Sequence, residues 1–247
     1  MADRMRRDLA RIAGLVGGIG PESTIDYYRA IIDEYAKRTG GVGAPAIVVT
    51  SIDVQRALAL LSAGQMAELT DYLAAEIDRL HRAGADFAAL TANTPHIVFD
   101  ALQARSPIPL LSIVEAVAQA AKARGLTRLG LFGTRFTIEA PFYPDVLGRH
   151  GLAVVKPRPD DITLIHDRYI GELLRGVFTP ETKADLLRIA GSLRDEERID
   201  GIILGGTELP LLLRDTEIRG LVLLDSTLIH VDAIVSRLLP SAAETTR

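Results

Sequence analysis

The chain has 247 residues, 48% of them hydrophobic, enough for one large or two small domains around a sizeable core. A net charge of −4 argues against a general nucleic-acid binder, and the absence of Trp argues against stacked-base recognition. With no cysteine in the chain, disulfides, thiolate metal sites and thiol catalysis are excluded together.

No apolar run approaches the roughly 18 to 20 residues that would span a bilayer. The charged start MADRMRRDLA lacks a following apolar core, so the expected location is cytoplasmic, with no membrane partner. Ala10 to Val16 is the first expected strand. It runs into Gly17-Gly18-Ile19-Gly20-Pro21-Glu22-Ser23-Thr24, a tight turn followed by a helix to about Lys37. The glycine spacing does not match a dinucleotide fingerprint. Ala46 to Ser51 is a β-branched run, the second strand. Asp53 follows it and is either a helix N-cap or a carboxylate at the carboxyl end of the strand. Gln65 to Gly84 reads as an amphipathic helix, with Leu69, Leu73, Ile77 and Leu80 spaced by three and four.

The next stretch, Leu90 to Phe99, has an echo at Leu204 to Leu212. Each follows an apolar run, breaks into small and hydroxyl residues, and meets a proline, Pro95 or Pro210. The expected shape is strand, tight turn, helix start, which presents backbone N–H groups where open α/β sheets bind ligands. Between the two, Ile108 to Ile113 is a strand and Glu115 starts a helix ending near Gly125. Leu129 to Phe132 is a strand leading into Gly133-Thr134-Arg135-Phe136-Thr137, whose hydroxyls either cap a helix or hold an anion. Leu152 to Val155 is a strand, and Ile165–His166 opens a helix ending near Gly176. Thr179 to Leu193 is a long helix, and Leu221 to Leu224 is the last strand. The loop at Gly17 repeats at Gly133, and the motif at Ala92 repeats at Gly206, at nearly the same offset. Two halves of alternating strands and helices imply two similar α/β domains with parallel sheets.

The motifs Ala92-Asn93-Thr94-Pro95-His96 and Gly205-Gly206-Thr207-Glu208 resemble those of the aspartate/glutamate racemase superfamily. Members carry Cys-Asn-Thr-x-His in the first and Gly-Cys-Thr-Glu in the second. The opening Gly-Gly-x-x-x-Glu-Ser-Thr with Tyr27–Tyr28, and the Gly-Thr-x-x-Thr loop with Phe142–Tyr143, are similar to family motifs too. The resemblance spans nearly the whole chain and implies two pseudo-two-fold domains, each a parallel sheet flanked by helices, with a cleft between them. It places the last strand and helix in the first domain, residues 1–115 plus 216–247, and leaves 116–215 as the second. It implies cofactor-free isomerisation of a small acidic amino acid, aspartate or glutamate, with no metal, and a homodimer.

Both cysteines of the motifs are missing, and Ala92 and Gly206 carry no functional group. Racemisation takes a proton from Cα on one face and returns it on the other, so it needs two acid/base groups. Glu208, His96 and Asp53 are the candidate replacements. Asn93, Thr94, Thr134, Thr137, Thr207 and His166 are the expected substrate-binding residues, though a lone His is also at home in a structural role. Arg135 and Arg168 could each pair a second substrate carboxylate. Three outcomes follow: other groups took over, the reaction changed to another isomerase or lyase step, or the chain binds a carboxylate without turnover. One reason for a glycine at position 206 would be a positive-φ backbone, which a cysteine would strain.

Overall fold

The computed structural model describes residues 11–214, 216–218 and 220–239. Ala10 and the charged start lie outside them. In chain order the first elements are β1 (Ile12–Gly17), α1 (Pro21–Thr39), β2 (Ala46–Ser51), α2 (Val54–Ser62), α3 (Met66–Arg82) and β3 (Phe87–Leu90). A short 3₁₀ turn (Thr94–Val98), α4 (Phe99–Arg105) and β4 (Leu110–Leu111) follow. The strands form a parallel sheet in the order β2-β1-β3-β4.

The second series begins with α5 (Ile113–Ala123), β5 (Arg128–Phe132), α6 (Arg135–Glu139), α7 (Phe142–Arg149) and β6 (Ala153–Val155). It continues with α8 (Pro159–Gly171), α9 (Pro180–Glu197), β7 (Gly201–Leu204), α10 (Leu209–Leu213), β8 (Val222–Asp225) and α11 (Ser226–Leu238). Its sheet is again parallel and runs β6-β5-β7-β8. Parallel neighbours require crossover helices, which is why apolar strand runs alternate with amphipathic stretches along the chain.

The repeat extends to the amino ends of the central strands. The Asp86 carboxylate accepts the Ile12 N–H at 2.7 Å, and Asp200 accepts the N–H groups of Thr127 and Arg128 at 2.7 and 3.1 Å. An aspartate before one central strand thus satisfies the opening amide of the other in both halves.

The chain divides into two bodies. The first comprises residues 11–91, 100–111 and 231–239, and the second comprises 92–99, 112–214, 216–218 and 220–230. The core of the first packs Leu15, Tyr27, Ile31 and Phe87 with Val231, Ile234, Val235 and Leu238. That of the second packs Leu131, Phe132, Tyr143, Ile165, Ile189, Ile203 and Leu224. Each such side chain stabilises the fold by about 1.5–3 kcal/mol when taken fully from water.

Four expectations need correction. The last strand does not return to the first sheet: β8 pairs with β7 from Gly201↔Val222 to Leu204↔Asp225. Only the latter part of α11 joins the first core. The strand expected over Ile108 to Ile113 shrinks to Leu110–Leu111, because Ser112 caps α5 and accepts the Glu115 N–H at 3.3 Å. The helix bearing His166 starts at Pro159, not Ile165, with Pro159 at N1 and Asp160 and Asp161 in its first turn. Gly206 is not among the glycines with positive φ.

Candidate active site

In the second sheet the connections leave the adjacent central strands β5 and β7 in opposite directions, which makes the carboxyl ends of these strands a topological switch point. The two loops there run against each other. The Gly205 N–H donates to the Phe132 carbonyl at 2.7 Å, and a β-carbon on Gly133 would stand 2.7 Å from the Gly205 carbonyl oxygen. These glycines serve close backbone approach.

Thr134 caps α6 and accepts the Thr137 N–H at 3.2 Å. Thr94, from the 3₁₀ turn, brings a third hydroxyl. Its Oγ1 lies 3.1 Å from that of Thr134 and 2.9 Å from that of Thr137, and the last two are 3.2 Å apart. Three hydroxyls thus form a closed triangle, with Thr134 and Thr137 buried and Thr94 half-buried. Each rotates to donate or accept.

Thr94 is held there by its neighbour. The buried Tyr143 hydroxyl donates to Asn93 Oδ1 at 2.6 Å, Asn93 Nδ2 donates to Ser226 Oγ at 3.1 Å, and Ser226 donates to the Leu204 carbonyl at 2.6 Å. Burial pushes the Tyr143 pKa up, so the phenol stays a donor. Asn93, expected to contact substrate, has both ends of its amide tied into this chain.

His96 is committed in the same way. Its Nδ1 bonds the Ala92 carbonyl at 3.1 Å and its Nε2 accepts the Ile113 N–H at 3.2 Å, so the proton resides on Nδ1. The ring stacks on Phe99. Burial brings its pKa down to about 3, aided by His230. A neutral imidazole with both nitrogens used has no lone pair left for a substrate proton, so His96 acts as a fixed strut.

Asp53 is the N-cap of α2: its Oδ1 accepts the N–H groups of Gln55 and Arg56 at 2.9 and 3.5 Å. It lies in the first body and is exposed. Arg168 is consumed by Glu172 at 2.5 Å and Asp185 at 3.0 Å.

Arg135 differs. Its backbone N–H donates to His166 Nδ1 at 3.2 Å, and its Nη2 donates to Thr163 Oγ1 at 3.2 Å. Its Nε is buried without a partner, and among the described residues no carboxylate pairs with the guanidinium. The His166 bond puts the proton of the neutral ring on Nε2. Burial, then the Arg135 charge, lowers the His166 pKa.

At the second motif Glu208 is buried, 2% exposed, and its Oε2 accepts from Thr207 Oγ1 at 3.3 Å. It also accepts from the hydroxyl of Tyr169, a residue absent from the expected set. A β-carbon on Gly206 would stand 2.6 Å from the Tyr169 oxygen and 2.8 Å from its Cζ. The sequence signal for Tyr169 is its place three residues after His166, on the same face of α8.

Residues 16–234 match the family model Asp/Glu/Hydantoin racemase. The chain belongs to this family. The broad specificity amino-acid racemase RacX of Bacillus subtilis (strain 168) is 27% identical over 148 residues, 58% of this chain and 63% of that protein. A glutamate racemase of Koribacter versatilis (strain Ellin345) is 29% identical over 163 residues, 63% of this chain and 54% of that protein. The matches therefore span less than two thirds of the length of these relatives. Among solved structures, an aspartate racemase homologue from Pyrococcus horikoshii OT3 is 31% identical, covering 93% of this chain and 99% of that one, with a TM-score of 0.79. The chain itself carries no cysteine. Among the described residues no helix is long and apolar enough to cross a membrane.

Proposed function

We propose that this chain binds a small acidic amino acid, aspartate or glutamate, and moves the proton at its Cα without a cofactor. The observation that carries this reading is the hydroxyl triangle of Thr94, Thr134 and Thr137, with Arg135, directly after Thr134, having no carboxylate partner among the described residues. Hydroxyls that can turn their protons toward one ligand suit a carboxylate. A guanidinium with a buried, unbonded Nε suits a second one, since a buried donor left unsatisfied costs about 1–3 kcal/mol. That pairing selects a dicarboxylic amino acid over a monocarboxylic one.

Glu208 is the proposed base. It is buried beside the switch point, and His96 has no lone pair to offer. A base on one face gives exchange at Cα more readily than inversion, so deuterium incorporation is expected to outrun racemisation. The chain is also proposed to be a homodimer, as the family resemblance implies.

The commitment of His96 favours a second reading, in which the carboxylate is bound and not turned over. Melting curves test the part common to both. Saturating aspartate or glutamate raises the melting temperature by several degrees, because a ligand at 100 times its Kd stabilises the native state by about 2.7 kcal/mol. Alanine gives a smaller shift, and Thr134→Val abolishes all of them. No shift with any small carboxylate overturns both readings.

A further inference from the structure

Gly206 and Tyr169 are complementary in shape. The tyrosine ring stands against the place where a side chain at position 206 would begin, with its oxygen 2.6 Å and its Cζ 2.8 Å from a β-carbon built there. Both are buried, and the phenol donates to Glu208, which also accepts from Thr207. Position 206 is the second residue after β7, at the carboxyl end of a central strand of the switch point. The phenol oxygen therefore projects into the loop where a ligand of this sheet is expected. We infer that Tyr169 is a catalytic residue: its phenol oxygen exchanges the substrate proton at the second motif, with Glu208 as its proton acceptor. This rests on the proposed function above and deepens it.

The step balances. As the Cα–H bond breaks, its proton goes to the Tyr169 oxygen. The phenol proton passes along the existing hydrogen bond to Glu208 Oε2, and the electron pair left on Cα is delocalised into the substrate carboxylate. Return of the proton reverses each transfer. No free phenolate forms. Burial first, and the Glu208 charge second, push the Tyr169 pKa well above its ordinary value, so concerted transfer is the route open to it. Glu208 Oε2 already accepts from the Tyr169 and Thr207 hydroxyls, so the acceptor for the phenol proton is in place.

Tyr169→Phe is the direct test, because it keeps the ring that fills the space beside Gly206 and removes only the hydroxyl. Exchange of the Cα proton of aspartate and glutamate in D₂O is measured for both proteins, with melting shifts to report binding. The expected result is a loss of exchange on the order of 10²-fold or more, as for removal of an acid–base group, with the melting shift retained. Exchange at the unaltered rate in Tyr169→Phe would show that Tyr169 only packs, and would overturn the inference. Binding without exchange in the unaltered protein would overturn it too, while leaving the carboxylate site standing. Absence of both would sink the site and the inference together. Should Tyr169→Phe fold poorly, Tyr169→Val with Gly206→Cys supplies the second test. Tyr169→Val alone should lose exchange, and the added thiol should recover it at least tenfold. Unaltered exchange in Tyr169→Val again overturns the role.

Discussion

Nε2 of His96 accepts the backbone N–H of Ile113 at 3.2 Å, at the first residue of α5. The ring's other nitrogen returns to the carbonyl of Ala92, so this imidazole ties the first motif to the start of the helix that follows β4. The bond requires a neutral ring. Protonation would turn Nε2 into a donor facing a donor.

Acid should therefore loosen the fold through His96. Its folded pKa, about 3, lies below the ordinary value of 6.5, so the unfolded chain binds the proton first. The contribution is complete above about pH 6.5 and is lost as pH falls toward 3, at up to about 1.4 kcal/mol per pH unit. Chemical denaturation at several pH values should show this slope. His96→Asn should be less stable at pH 7 yet lose less on acidification. Equal slopes in the two proteins would contradict the strut role.

Arg135→Gln should separate dicarboxylate from monocarboxylate recognition. The melting shift given by aspartate or glutamate is expected to drop to the size given by alanine, and the alanine shift should stay as it was. Arg168→Gln should leave the ligand shifts unchanged, since that arginine is spent on Glu172 and Asp185. Its stability cost should be below about 1 kcal/mol, the usual value for part-exposed pairs.

Tyr143→Phe should cost about 1–3 kcal/mol in urea unfolding, because Asn93 Oδ1 is then buried without its donor. Ligand binding should weaken as well, since Thr94 follows Asn93 and depends on it for position. Full ligand affinity in a destabilised Tyr143→Phe would mean that the chain from Tyr143 to Ser226 supports the fold alone.

The repeat was readable because strand-and-loop punctuation recurs at one offset, and both sheets follow from it. The pairing of β8 was not, since a four-residue apolar run at the end of a chain fits the edge of either sheet equally. At the site, Thr134 and Thr137 were visible as a cap three residues apart, but their meeting with Thr94 is a tertiary contact that no spacing predicts. His96 illustrates the limit most clearly. Its place four residues after Ala92 suggested reach toward a ligand, and that same spacing lets it bond the Ala92 carbonyl instead. Tyr169 shares a helix face with His166, but its contact with position 206 leaves no mark in the sequence, because a glycine there presents no side chain.

Returning thiols to the two motif positions should succeed at one and fail at the other. Ala92→Cys adds one sulfur at a buried turn, 7% exposed, and should fold. Gly206→Cys should destabilise by about 1–3 kcal/mol, the usual cost of overpacking, because its β-carbon meets the Tyr169 ring and not because of its backbone angle. Tyr169→Val should relieve that cost. A stable Gly206→Cys with Tyr169 in place would show that the ring moves aside freely.

Deuterium incorporation measures proton transfer at Cα without regard to which group acts. The unaltered chain is incubated in D₂O with aspartate and with glutamate at concentrations that saturate the melting shift. Label at Cα is read by mass spectrometry and inversion by chiral chromatography. Slow incorporation of deuterium at Cα of one or both amino acids, running ahead of inversion, is the expected result. Saturated binding with no label above a heat-inactivated control would contradict it and leave a carboxylate-binding protein of racemase fold.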